Sequence, residues 1–151
     1  MTSRRVLAST TTTAPADVVF DIIADPRQHS RVDGSGTVRD AIAGPDRLSL
    51  GAKFGMSMRM GVPYKITSTV VEFEEGRRLA WQHPGGHIWR YELEPDGERT
   101  RITETFDYSG VSGVQAKMYE LLGITKRNRR GIEQTLVRLS DAAEQDARRA
   151  S

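Results

Sequence analysis

The sequence predicts an α+β domain in which a curved antiparallel sheet of about seven strands, ordered β-α-α-β6-α, wraps a long C-terminal helix. Between Thr37 and Tyr108, short strand-like runs succeed one another, separated by turn residues and by no helical stretch. The last third switches to a helical period. The length of 151 residues suits one domain with a core of its own, here taken as residues 1–151.

The elements follow in order. Arg4–Thr13 is β-branched and Thr-rich, as strands are. Ala14-Pro15-Ala16-Asp17 opens a helix, since Pro suits a first turn and an acid suits the positive end of the dipole. Val18, Val19, Ile22 and Ile23 are its apolar stripe. Asp25-Pro26 stops it, Pro26 starts a second short helix through Arg31, and Asp33-Gly34-Ser35-Gly36 is loop.

Gly44-Pro45-Asp46, Gly61-Val62-Pro63, Glu74-Glu75-Gly76, His83-Pro84-Gly85-Gly86 and Pro95-Asp96-Gly97 then punctuate a meander. Beyond it Met118, Leu122, Thr125, Ile132, Leu136, Leu139 and Ala143 recur at three- and four-residue steps. Gly123 marks a break, with the longer helix running from about Thr125 to Arg148. Glu133, Arg138, Asp141 and Glu144 make a solvated outer face.

Composition excludes several classes. There is no cysteine, hence no disulfide scaffold and no cysteine zinc motif. The net charge of +2 is too small for a typical nucleic-acid binder. No apolar run approaches the roughly 20 residues of a spanning helix, and Thr10–Thr13 stands where a signal peptide would need its apolar region. A cytoplasmic protein without stable membrane insertion is the expectation. Neither a P-loop nor a nucleophile elbow is present, and no cofactor is expected.

The segment Thr13-Ala14-Pro15-Ala16-Asp17-Val18-Val19-Phe20 and the pair Trp89-Arg90-Tyr91-Glu92-Leu93-Glu94-Pro95 and Thr100-Arg101-Ile102-Thr103, together with the element order, resemble the helix-grip fold of the START-like superfamily. That superfamily includes polyketide cyclase/dehydrase-like proteins, lipid-transfer domains and the birch-pollen allergen relatives. The resemblance spans nearly the whole chain and implies a cavity between sheet and C-terminal helix for apolar or amphipathic ligands.

The residues give independent reason to expect one. Met56, Met58 and Met60 share a strand face, where flexible thioethers make either an adaptable ligand wall or plain core. Trp81 and His83 lie in a row on one strand, and His87, Trp89 and Tyr91 in a row on the next. Trp and Tyr need polar partners when buried, which suits a partly wet interior. Phe106, Met118 and Leu122 complete the expected ligand-binding set. His83 and His87 flank one turn as a polar rim or a ligand contact. A metal site would need further donors, and none is expected.

Glu104 is the anomaly. It shares a face with Ile102, Phe106 and Tyr108, so it points into any cavity these line, where burial raises a carboxyl pKa unless a cation such as Arg59 or Arg101 pairs with it. Lys126-Arg127-Asn128-Arg129-Arg130 is a dense basic cluster without the stacking aromatics of a nucleic-acid site. It reads as a solvated helix start or a contact for anionic lipid.

Two functions follow. The first is binding or transport of a small hydrophobic ligand, lipid or polyketide-like. The alternative is a polyketide cyclase, aromatase or dehydratase using Glu104 as acid/base with Tyr91, His83 or His87 assisting. No nucleophile–base pair is visible, so binding leads.

Overall fold

The protein is represented by a computed structural model describing residues 4–150, the side chains of Ile42 and Met60 excepted. Strand β1 (Arg5–Thr12) leads into helix α1 (Ala16–Ile23), a 3-10 turn (Pro26–Gln28) and the short helix α2 (His29–Val32). Strands β2 (Val38–Ala43), β3 (Lys53–Met60), β4 (Val62–Glu74), β5 (Arg78–Gln82), β6 (Ile88–Asp96) and β7 (Arg99–Asp107) follow. Helices α3 (Gly113–Leu121) and α4 (Ile124–Ala150) end the chain.

The strands form one antiparallel sheet in the order β1-β7-β6-β5-β4-β3-β2. Only β1 leaves the sequential meander, pairing with β7, so α1 and α2 carry the chain from one sheet edge to the other. The sheet curls into the expected helix-grip arrangement, with α4 packed on β1, β7 and all three other helices.

Local chemistry sets the boundaries. Pro15 precedes α1 in an extended conformation (φ −63°) with Asp17 in the first turn. The Asp25 side chain accepts from the Arg27 N–H at 3.0 Å and caps the turn that Pro26 begins. Ser112 caps α3 in the same way, accepting from the Gln115 N–H at 3.2 Å. Gly123, at φ +73°, separates α3 from α4, a geometry few other residues take without strain.

The core lies between the concave sheet face and the helices. Phe20, Ile23, Leu79, Leu93, Ile102, Ile132, Leu136 and Leu139 are fully enclosed. On the convex face Arg90 donates to Asp107 at 3.2 Å and to Glu72 at 2.6 Å, with Ala80 between Arg90 and Glu72 in register.

Two sequence readings need correction. The outer face of α4 is not simply solvated: Glu144 Oε2 accepts from the Thr13 N–H at 2.9 Å and from the Thr12 and Thr13 hydroxyls at 3.0 Å, tying α4 to the β1–α1 corner. Arg138 likewise donates to the Asp33 carbonyl at 2.9 Å. The apolar stripe also does not run through Gly123. Its turn changes the helix direction, so Met118 and Leu122 are 49% and 69% exposed while Ile132, Leu136, Leu139 and Ala143 are buried.

Candidate ligand cavity

A cavity of about 460 Å³ lies between the concave sheet face and α4. Alternation along the strands brings Met56 and Met58 of β3, Trp81 of β5, Trp89 and Tyr91 of β6, and Glu104 and Phe106 of β7 onto its wall. His83 and His87 line it from the turn between β5 and β6. Met118 and Leu122 do not line it, and the Met60 side chain lies outside the described residues.

Aromatic rings cluster along part of the wall. Trp81 contacts Tyr91 at 5.8 Å between ring centroids, and Trp89 contacts Phe106 at 5.0 Å. His83 and His87 stand 4.6 Å apart, and His87 reaches Phe106 at 5.1 Å. Burial pushes the His83 pKa down to about 3, helped by His87, and that of His87 to about 4, so both rings are neutral at neutral pH. Among the described residues no group of three or more His, Asp or Glu could hold a metal ion.

Polar contacts tie this turn to α3. Gln115 Nε2 donates to the Gly85 carbonyl at 3.1 Å and to the Tyr119 hydroxyl at 2.5 Å. The Tyr119 hydroxyl also lies 3.3 Å from His87 Nδ1, within hydrogen-bond reach. The same contacts fasten α3 over one end of the cavity.

Glu104 stands opposite Tyr91 in the β6–β7 register, 5% exposed, and among the described residues its Oε1 has no hydrogen-bond partner. Burial raises its pKa, the Tyr91 hydroxyl opposes this by hydrogen bonding, and the charge of Asp33 adds to the rise, to about 8. Tyr91 is itself pushed well above the ordinary phenol range by burial and by Glu104. Neither expected cation pairs with the carboxyl. Arg59 and Arg101 occupy alternate positions to Met58 and Ile102 and so project from the opposite face, Arg101 towards Asp96 at 3.9 Å.

Several further residues line the cavity. Asp33 lies in a loop pinned to α4: the Gly34 N–H donates to Thr135 Oγ1 at 2.8 Å, and a Cβ on Gly34 would stand 2.5 Å from that of Gln134. Its carboxylate accepts from the Ser35 N–H and hydroxyl and from the Val38 N–H. His29 stacks on Trp81 at 4.9 Å and donates from Nε2 to the Ile23 carbonyl at 2.8 Å. Desolvation lowers its pKa. Tyr64, Arg127 and Asn128 complete the rim.

A curled antiparallel sheet gripping a long helix over an apolar, aromatic-lined cavity defines a START-like, helix-grip protein. The family model described as polyketide cyclase / dehydrase and lipid transport matches residues 3–144, and the chain belongs to that family. It is 46% identical over 141 residues to "Uncharacterized protein Rv0088" of Mycobacterium tuberculosis, covering 91% of this chain and 63% of that protein's length. In structure it is similar to protein NE0264 from Nitrosomonas europaea (TM-score 0.74, 17% identity, 97% of each chain). It is also similar to the Polyketide_cyc-like protein Cgl2372 from Corynebacterium glutamicum (TM-score 0.62, 22% identity, 96% of this chain and 94% of that one). At such identities these two likenesses concern the fold alone. No helix of the described residues is long and apolar enough to cross a membrane.

Proposed function

We propose that residues 1–151 act as one ligand-binding unit, taking up a small, largely apolar molecule that presents one polar group to Glu104. The carrying observation is the unpartnered Glu104 Oε1, buried beside Tyr91 in a cavity of about 460 Å³. An orphaned buried carboxyl oxygen costs roughly 1–3 kcal/mol, which a ligand hydroxyl or carbonyl can recover. Volume and aromatic walls suit a compact lipid or a polyketide-like ring system. Met56, Met58, Trp81, Trp89 and Phe106 would supply apolar contact, and His83 and His87 the polar rim.

Mass spectrometry of protein purified without denaturation, compared with its solvent extract, tests this reading. A small molecule released only on unfolding, and lost when the cavity is filled by Ser68→Leu, supports it. No released molecule, together with no binding across a lipid and polyketide panel, would contradict it.

A second reading, acid–base catalysis on a β-keto-type substrate, is favoured by the same carboxyl. A Glu104 pKa of about 8 leaves the group mostly protonated at neutral pH, able to donate a proton to a substrate carbonyl or hydroxyl and take one back. Glu104→Gln would then abolish turnover while leaving binding largely intact.

A further inference from the structure

We infer that α3 and the start of α4 form a docking surface for a membrane rich in anionic lipid, placed at the rim of the cavity. The inference does not depend on what the cavity holds.

Helix α3 is apolar on both faces. Inward, Ala116 is buried and Tyr119 lines the cavity. Outward, Val114, Met118, Leu121 and Leu122 share one face at helical spacing and are 81%, 49%, 84% and 69% exposed. An apolar helical stripe left in water marks an interaction site.

The charge beside the stripe identifies the partner. Lys117 lies within α3, and Lys126, Arg127, Arg129 and Arg130 follow in the first turns of α4, Arg129 within 3.7 Å of Glu133, although the chain as a whole carries only +2. Within this stretch the opposing acid is Glu120, which accepts from the Tyr108 hydroxyl at 3.3 Å. Exposed apolar side chains flanked by Lys and Arg bind the interface of anionic bilayers by burial and attraction together. A second copy fits less well, because a two-fold contact through this face would set cations against cations.

The surface also adjoins the cavity. Ile124, Arg127 and Asn128 at the start of α4 line it, as does Tyr119 from α3. Arg127 is close enough to Tyr64, on the facing strand, to hold down a phenol pKa that burial raises. Docking through α3 would therefore bring the rim against the lipid.

Vesicle co-sedimentation of the full chain tests the proposal, with phosphatidylcholine alone and with phosphatidylcholine containing phosphatidylglycerol. Binding is expected only to the anionic vesicles and should fall as salt is added. At about fivefold per cation, neutralising Lys126→Gln and Arg130→Gln together should weaken it roughly 30-fold. Val114→Ser with Leu121→Ser should weaken it at least about tenfold. All these side chains are exposed, and circular dichroism checks that the variants fold. Absent binding to anionic vesicles, or binding indifferent to both double variants, overturns the proposal. So does a solution dimer that Leu121→Ser dissociates while vesicles leave the protein unbound.

Discussion

The Tyr91 phenol and the Glu104 carboxyl face each other across the β6–β7 pair, both sealed from solvent, and the carboxyl keeps one oxygen without a partner. The neighbouring Asp33 charge adds to the cost of ionising Glu104, and among the described residues no cation offsets it. A carboxyl so placed serves a bound molecule or a proton transfer better than it serves stability.

The first prediction concerns pH. Glu104 has a folded pKa raised to about 8 from an ordinary 4.5. Its contribution to stability is thus complete below the unfolded pKa and is lost as pH rises through the folded one. The loss is at most about 1.4 kcal/mol per pH unit, and it levels off above pH 8. Glu104→Gln lacks this term. Thermal unfolding should show the variant gaining on the wild type between pH 5 and pH 8, whereas parallel profiles would place the Glu104 pKa near its ordinary value.

The Asp33 loop depends on a missing side chain. A Cβ at Gly34 would lie 2.5 Å from Gln134 Cβ and 2.6 Å from the Thr135 nitrogen. Gly34→Ala must lift the loop from α4 and should cost about 1–3 kcal/mol in urea unfolding. At Gly36 there is open space but φ is +76°, so Gly36→Ala should cost about 1 kcal/mol through the backbone alone.

Glu144 joins α4 to the β1–α1 corner. Hydrogen bonds from the Thr13 N–H, then the Thr12 hydroxyl, hold its pKa below the usual carboxylate range. That stabilisation is present above the unfolded pKa and lost as pH falls through the folded one. Glu144→Ala should cost about 1 kcal/mol at neutral pH, since the carboxylate is partly solvated, and the difference should shrink in acid.

The Gln115–Tyr119–His87 chain holds α3 over the cavity end. Tyr119→Phe removes the acceptor for Gln115 and the hydrogen-bond partner of His87 Nδ1. It should lower stability by about 1 kcal/mol and speed amide exchange across Gly113–Leu121 more than across β6. Unchanged exchange in α3 would show that Ala116 packing alone secures the helix.

Period-2 alternation and turn residues made the sheet legible, because each strand has one face on the core and the other in water. The same alternation put Glu104, Tyr91 and both tryptophans on the cavity side. It could not show that Asp33 joins them, since a loop's position is set by its landing site, here the gap over Thr135 that Gly34 fits. The stripe reading failed at Met118 and Leu122 because helical phase carries no information across the Gly123 turn. His29 went unread because a four-residue helix has too short a pattern to reveal which side packs on Trp81.

The most direct test uses the protein's own fluorescence. The chain has two tryptophans, and Trp81 and Trp89 both line the cavity, so intrinsic emission reports on its contents. Titration with apolar molecules that differ only in carrying one hydroxyl or carbonyl should give a saturable change. The polar member should bind more tightly, and Glu104→Leu should erase its advantage, roughly 10- to 100-fold. No saturable change with any such molecule, or an advantage that survives Glu104→Leu, would contradict the assignment of Glu104 as the polar recognition point.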